Sequence, residues 1–258
     1  MIKEIIINAD DFGLKSSVNK AIVDSFNCGL INSTTLMVNM PGFDEAVELA
    51  HKNKIISKTG IHLTLTEGHP VTSDIIHSNG FYFGNNYGLR EFKKGLFLLS
   101  KRKRNSIYNE FAAQIEKAKK AGFPITHIDT HHHMDDVWSI THIILALLRK
   151  YNIPSMRILN NLNRSTRLHK ISYRKIVNVF IGLSHSNFSD FFGNQFEGLS
   201  LLRDKISKCQ NKKLEIMVHP DYNNRGILIN RIQDQEIIFN YPEDLQNIID
   251  LKAHLRVH

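Results

Sequence analysis

Side chains able to bind a metal crowd into one short stretch, Ile125-Thr-His-Ile-Asp-Thr-His-His-His-Met-Asp-Asp136. It holds four of the chain's 14 histidines and three aspartates within twelve residues. Neutral imidazoles and carboxylates at this density suit zinc or a transition metal. Residues 125–130 alternate apolar and polar, which predicts a strand, and His131, His132 and His133 follow where that strand would end. In an extended chain His131 and His133 share one side and His132 takes the other, so at most two of the three serve one site. The competing reading is a polar loop whose histidines only hydrogen-bond. The rest of the chain decides between them.

Three further places supply matching chemistry. Asp10 and Asp11 follow an apolar run, His62 sits in Gly60-Ile-His-Leu-Thr-Leu-Thr66, and His219 ends Glu215-Ile-Met-Val-His-Pro220. Each alone has a plain structural explanation: an Asp-Asp pair often caps a helix, and a lone strand histidine is often a satisfied core residue. Together they place carboxylates and imidazoles at four predicted strand ends. One aspartate and two histidines occupy one face of a metal and leave positions for water and substrate. A second carboxylate can take a proton from water, and a histidine across the site can protonate a leaving amine. The set meets the needs of metal-assisted amide or ester hydrolysis, on an acylated or a phosphorylated small molecule. Neither a serine-nucleophile motif nor a phosphate-binding glycine loop competes with it.

The elements that must position these residues alternate between strand and helix. Strands are predicted at residues 4–8, 33–38, 60–66, 125–130, 155–159 and 215–220. Helices are predicted at 18–28 with Gly29 as the stop, at 43–50, at 96–121 with a break near 103–106, and at 137–151, 163–183 and 243–255. Residues 67–90 form a long loop with a Phe81-Tyr82-Phe83 cluster, and loops of that length in compact domains are often functional. The alternation implies parallel βαβ units, whose sites lie at the carboxyl ends of the strands. The expected architecture is α/β, an irregular (β/α) barrel, with a doubly wound sheet as the alternative. Residues 1–258 show no linker or internal repeat, so one domain is expected.

Composition narrows the classes. Hydrophobic residues make up 42% of the 258, enough for a sizeable core. Cys28 and Cys209 have no CxxC partner, which excludes a cysteine metal site and disfavours a disulfide. The Ile5-Ile6-Ile7 run is too short for a signal peptide or a membrane span, so a cytoplasmic location is expected. The formal charge of +8 concentrates in Lys93-Lys94, Lys101-Arg-Lys-Arg104 and residues 164–175. No aromatic interleaving accompanies these runs, and they read as solvated helix faces rather than a nucleic-acid interface.

Asn8-Ala-Asp-Asp-Phe-Gly13, Gly60-Ile-His-Leu-Thr-Leu-Thr-Glu-Gly68, Thr126-His-Ile-Asp-Thr-His-His-His133 and Val218-His-Pro220 appear in that order. This ordered set resembles the YdjC/ChbG family of carbohydrate deacetylases from residue 5 to about 222, with Asn79-Gly-Phe-Tyr82 and Arg157 also at matching places. The resemblance implies a distorted (β/α) barrel similar to the polysaccharide deacetylases. It implies metal-dependent removal of acetyl from N-acetylglucosamine units of short chitooligosaccharides. By position it makes Asp11, His62 and His131 ligands of one divalent metal, magnesium or zinc, with manganese or cobalt as further choices. Asp10 becomes the general base and His219 the candidate acid. Asp129 and Arg157 become orienting groups, and Phe81, Tyr82 and His133 candidates for substrate contact. A small carbohydrate is the implied partner, with no nucleic acid or membrane. A homodimer, common in that family, is the implied assembly. The family commonly continues His-His-His-x-His, whereas this chain has His131-His-His-Met-Asp135.

Overall fold

The β-branched run Ile5-Ile6-Ile7 opens the central strand of the fold. In a computed structural model, residues 2–73, 82–83, 86–87, 99–163, 168–184, 187–232, 235–243 and 245–246 are described. Strand β1 (Glu4–Phe12) lies between β2 (Ser33–Leu36) and β8 (Lys213–Val218), parallel to both. Beyond β2 come β3 (Thr59–Leu63) and β6 (Ile128–Thr130), and beyond β8 comes β7 (Phe191–Asn194). All six strands are parallel, in the order β6-β3-β2-β1-β8-β7. The sheet curls, and an extended segment spans its two edges. Ile128 N–H donates to Ser155 O at 3.0 Å and Arg157 N–H to Ile128 O at 2.9 Å, while Asn161 N–H reaches Phe192 O of β7 at 3.3 Å. This makes the architecture an irregular (β/α) barrel rather than an open doubly wound sheet. The predicted strand at 155–159 is that closing segment, reduced to a single bridge from Met156 to Ile128.

Helices α1 (Ser16–Asn27), α2 (Phe43–Lys52), α3 (Lys101–Lys120), α4 (Trp138–Tyr151), α5 (Leu168–Ser184) and α6 (Gln195–Lys205) accompany the strands. Gly29 stops α1 as expected. At φ +70° it lets Leu30 N–H reach Ser25 O at 2.8 Å while its own N–H reaches Phe26 O at 3.1 Å, the Schellman pattern. The break expected near 103–106 is absent: α3 runs unbroken from Lys101, with the Ser100 hydroxyl accepting from Lys103 N–H. Ser106, within the stretch where the break was expected, turns its hydroxyl back to Arg102 O at 3.1 Å and stays helical. One side of α3 holds neighbouring backbone through polar side chains. Gln114 bonds both backbone groups of Thr64, and the buried Glu110 carboxylate accepts the N–H groups of Val71 and Thr72. These bonds hold the segment that leaves β3.

Two elements near the carboxyl end went unforeseen. One is β7 with α6. The other is a small antiparallel sheet of β9 (Pro220–Tyr222), β10 (Leu228–Ile232) and β11 (Gln235–Ile238). Two-residue strands β4 (Tyr82–Phe83) and β5 (Asn86–Tyr87) pair within the predicted aromatic loop. Phe81 lies outside the described residues, as do the side chain of Tyr82 and most of the helix expected at 243–255. The core is the packing of helices on the outer face of the sheet. Ile7, Ala9, Ile61, Leu63, Ile216 and Val218 are buried there, each larger aliphatic side chain contributing about 1.5–3 kcal/mol. The opposite side of the same strands faces the barrel interior, where Asn8, Asp10, His62 and Glu215 are buried polar residues. Cys28 and Cys209 are free thiols.

Candidate active site

Strand β1 delivers two consecutive aspartates to one place because it does not stay regular. Asp10 follows the pleat into the barrel interior, opposite in sense to Ala9. Asp11 takes φ +71°, and the register with β2 shifts between Ala9 and Phe12. That left-handed residue breaks the alternation, so both carboxylates reach the same cavity. Gly13 completes the turn at φ +95°; a Cβ there would stand 2.5 Å from Met37 O.

The histidine stretch also departs from a strand. Ile125 has φ +52°, which confines the strand to Ile128–Thr130, and His131–Asp136 winds into a tight 3-10 turn. His132 and His133 are left-handed inside it, at φ +55° and +51°. The expected alternation of the three histidines is therefore replaced by a turn. His131 is buried against Asp11, the His132 ring sits 2.8 Å from Thr66 Oγ1, and His133 lies against Phe192 with ring centroids 6.2 Å apart.

His62 Nε2, His131 Nδ1 and Asp11 Oδ1 form a triangle. The two nitrogens are 3.2 Å apart, and the oxygen is 3.3 Å from the first and 3.1 Å from the second. Asp11 Oδ1 is buried and accepts no well-directed hydrogen bond. A buried carboxylate oxygen without a donor, facing two ring nitrogens, is what a cation between them would satisfy. Each ring is fixed from behind by a carboxylate. His62 Nδ1 is 2.6 Å from Asp129 Oδ1, and His131 Nε2 is 3.2 Å from Glu67 Oε2. Carboxylates take N–H bonds, so in the neutral rings that a metal requires the lone pairs of His62 Nε2 and His131 Nδ1 point into the triangle. The three donors fit a divalent metal. Burial works against protonation of both rings, but Asp129 and Asp11 lift the pKa of His62 well above its ordinary value, and Asp11 and Glu67 lift that of His131.

Beneath the triangle lies Arg157, 2% exposed and tied to three carboxylates. Nη1 and Nη2 each donate to Asp10 at 2.7 Å, Nη1 lies 2.8 Å from Asp129 Oδ2, and Nε donates to Glu215 Oε1 at 2.6 Å. Burial alone would raise the Asp10 pKa; the guanidinium's charge and hydrogen bonds reverse this and hold it far below the carboxylate range. Burial raises Glu215, which Arg157 only partly offsets. Thr35 donates to Asp129 at 3.0 Å, Asn8 donates to Asp10 at 2.9 Å, and His127, kept neutral by burial at a pKa of about 4, bonds Asn8 at 3.1 Å.

The triangle, Asp10 and His219 line one cavity of about 500 Å³, within the size range of small-molecule sites. His219 is placed by β10, its N–H donating to Asn230 Oδ1 at 2.7 Å and its carbonyl accepting from Arg231 N–H at 3.0 Å. A second cavity of about 350 Å³ shares His133, Met217 and His219 with the first and reaches Asp135. Asp135, where the family's histidine was expected, is not a donor to the triangle. Its Oδ1 accepts from Thr130 Oγ1 at 2.6 Å, and burial together with Asp136 raises its pKa to about 7.

Asp10, Asp11, His62, His131, Asp129, Arg157 and His219 thus converge. Sequence reading missed Glu67 and Glu215 as parts of the site. The signal for Glu67 was its place just past the His62 strand, before a glycine. Gly68 has φ +75°, and a Cβ there would meet Asn39 O at 2.4 Å. Asn39 Nδ2 in turn holds Glu67 O at 2.9 Å, so the glycine turn aims Glu67 back at His131. Nothing in the pattern around Glu215 distinguished it from an ordinary strand residue.

Comparison with known proteins places these features in a family. The model of the family described as YdjC-like protein matches residues 4–252. A carbohydrate deacetylase of Brevibacillus brevis is 33% identical over 225 residues, covering 87% of this chain and 84% of the relative. One from Halalkalibacterium halodurans is 34% identical, covering 85% of each. Among solved structures, a putative cellobiose-phosphate cleavage protein of Enterococcus faecalis V583 superposes with a TM-score of 0.66 at 28% identity, over 87% of this chain and 84% of the other.

Proposed function

The chain belongs to the YdjC-like family, and from that premise we propose that it is a metal-dependent carbohydrate deacetylase. Its substrate on this reading is an N-acetylated amino sugar or a short chitooligosaccharide. The observation that carries the proposal is the buried, donorless Asp11 Oδ1 between His62 Nε2 and His131 Nδ1, beside the Arg157-held Asp10.

Asp11, His62 and His131 hold one divalent ion, magnesium, zinc, manganese or cobalt. When bound, that ion supplies Lewis acidity toward the amide carbonyl and a lowered pKa for water. The remaining work belongs to the side chains. Asp10 is the base that takes the water's proton. Arg157 keeps it ionised and fixes its plane; Oδ1 already accepts from Asn8 and Arg157 while Oδ2 accepts from Arg157 alone, so Oδ2 has the freer lone pair. Asp129 and Glu67 keep the two imidazoles in their ligating tautomers. Water adds to the acetyl carbon as its proton passes to Asp10. The C–N bond then breaks as His219 protonates the nitrogen, releasing acetate and a free amine.

Mass spectrometry of N-acetylated mono- and oligosaccharides incubated with metal-loaded protein tests this. Loss of one acetyl group from a member of the panel is the expected result. Intact sugars, with turnover of another acylated or phosphorylated small molecule instead, would overturn it in favour of a different metal-dependent hydrolysis.

A further inference from the structure

Helix α5 is built inside out. Among the nine large apolar residues exposed in the described part of the chain, five lie on it: Leu168 (83% exposed), Ile176 and Val179 (61%), Phe180 (44%) and Leu183 (82%). Their spacing puts them on one outward stripe, while the side that meets the protein buries only Val177 and Ile181. The stripe continues sideways. Phe180 packs edge-on against Trp138 and His142 of α4, at 5.2 and 5.8 Å between centroids. Trp138 and His142 in turn line an open groove that runs to Tyr108 and Arg104 of α3.

The charge of the chain is distributed in the same place. Residues 137–189, which contain α4 and α5, carry eight Lys or Arg and no Asp or Glu. With 33 basic and 25 acidic residues in all, the remainder of the chain is formally balanced. Within the segment Arg157 is buried among carboxylates and Arg174 pairs with Asp136 at 3.0 Å, so the face itself is charged by its exposed lysines and arginines. Lys170 and Lys175 are exposed on α5, Arg149 and Lys150 at the end of α4, and Lys101, Arg102 and Arg104 at the start of α3.

We propose that this face docks on the surface of an anionic lipid bilayer, with α5 lying in the plane of the headgroups. An apolar stripe with basic residues around it has two needs, hydrocarbon for the stripe and negative charge for the rim. An anionic bilayer meets both at once. A second copy of the chain meets the first need but brings the same positive charge to the contact. A nucleic acid meets the second but leaves aliphatic Leu168, Ile176, Val179 and Leu183 against phosphate. No helix among the described residues is long and apolar enough to cross a membrane, so the attachment is peripheral. Salt weakens it, and it does not depend on the deacetylase reading.

Flotation of the full chain tests the proposal, with vesicles of phosphatidylcholine alone and of two parts phosphatidylcholine to one part phosphatidylglycerol. The chain should float with the anionic vesicles, remain behind with the neutral ones, and be released by salt. Two double variants, Val179→Asp with Leu183→Asp and Lys170→Glu with Lys175→Glu, should each reduce partition by roughly tenfold or more. All four positions are exposed, and circular dichroism and melting temperature should match the parent. Failure of the parent to float, or flotation indifferent to both variants, overturns the proposal. So does a dimer in gel filtration that Val179→Asp with Leu183→Asp splits while no vesicle binding occurs; that outcome assigns the stripe to a second copy. None of these readouts involves acetate release, so failure here and failure of the deacetylase reading are separate results.

Discussion

Glu67 Oε2 stands 3.2 Å from His131 Nε2, on the edge of the ring opposite the one that faces Asp11. The contact to His131 is also the largest influence that lowers the Glu67 pKa. If this bond fixes His131 with its Nδ1 lone pair inward, Glu67→Ala should weaken metal binding by about ten- to a hundredfold. Glu67→Gln keeps an acceptor oxygen and should lose much less. Calorimetric titration with zinc reads the affinity, and ¹⁵N shifts of His131 in the metal-loaded protein read which ring nitrogen carries the proton. Unchanged affinity and tautomer in Glu67→Ala would remove Glu67 from the site.

Arg157 should matter to stability before it matters to catalysis. It is the cation at the centre of Asp10, Asp129 and Glu215, all buried. Arg157→Met matches the length of the side chain but leaves the carboxylates uncompensated, which typically costs about 3–5 kcal/mol. The Asp10 pKa should rise in the variant, because burial is then opposed only by the smaller effects of His62 and His219. Urea denaturation and the pH dependence of stability measure both; a variant as stable as the parent at neutral pH would show that the cluster is held by something else.

The strand-end positions of Asp10, His62, His131 and His219 were legible because period-two alternation and β-branched runs mark strands wherever the sheet is buried. What sequence could not reveal is the irregular backbone that turns these residues toward one another. Asp11 at φ +71° and the left-handed pair His132-His133 violate the alternation that reading assumes. Closure of the barrel was equally hidden, since residues 155–161 bond to two sheet edges with almost no ladder of their own. The polar partners at Glu215 and Glu67 come from strands and turns far apart in sequence, and their pairing is a property of the tertiary fold. The stripe on α5 read as an ordinary basic helix, because periodicity reports that a face is apolar without saying which way it points.

Asp135 should make the fold less stable as pH rises. Its carboxyl titrates at about 7 in the folded chain against 3.8 for an ordinary aspartate. Between those pH values the folded state holds the proton more often than the unfolded one, so stability falls as pH climbs through the window. A difference of roughly 3 units corresponds to at most about 4 kcal/mol at pH 8. Asp135→Asn keeps an oxygen for Thr130 and cannot ionise. Its melting temperature should match the parent near pH 4 and exceed it increasingly up to pH 8. Parallel curves for the two proteins would mean that Asp135 is ionised throughout.

The adjacent aspartates should divide the labour, and the two asparagine variants separate their roles. Asp11 has its Oδ1 in the triangle with His62 and His131. Asp11→Asn replaces a charged donor with a neutral amide and should lower metal affinity. The metal-dependent rise in melting temperature should shrink with it, since a ligand bound only by the folded state stabilises in proportion to the logarithm of its saturation. Asp10 makes no edge of that triangle, and Arg157 holds both of its oxygens. Asp10→Asn should therefore retain the metal and lose turnover by about 10²–10⁴-fold, the usual loss on removing a general base. Residual activity in Asp10→Asn should climb with pH, because hydroxide replaces the missing base, whereas restoring activity to Asp11→Asn should require more metal. Metal content and pH–rate profiles of both variants decide the matter. If Asp10→Asn sheds the metal while Asp11→Asn keeps both metal and rate, the roles are exchanged. If both retain full activity, neither carboxylate belongs to the chemistry and the hydrolytic mechanism fails.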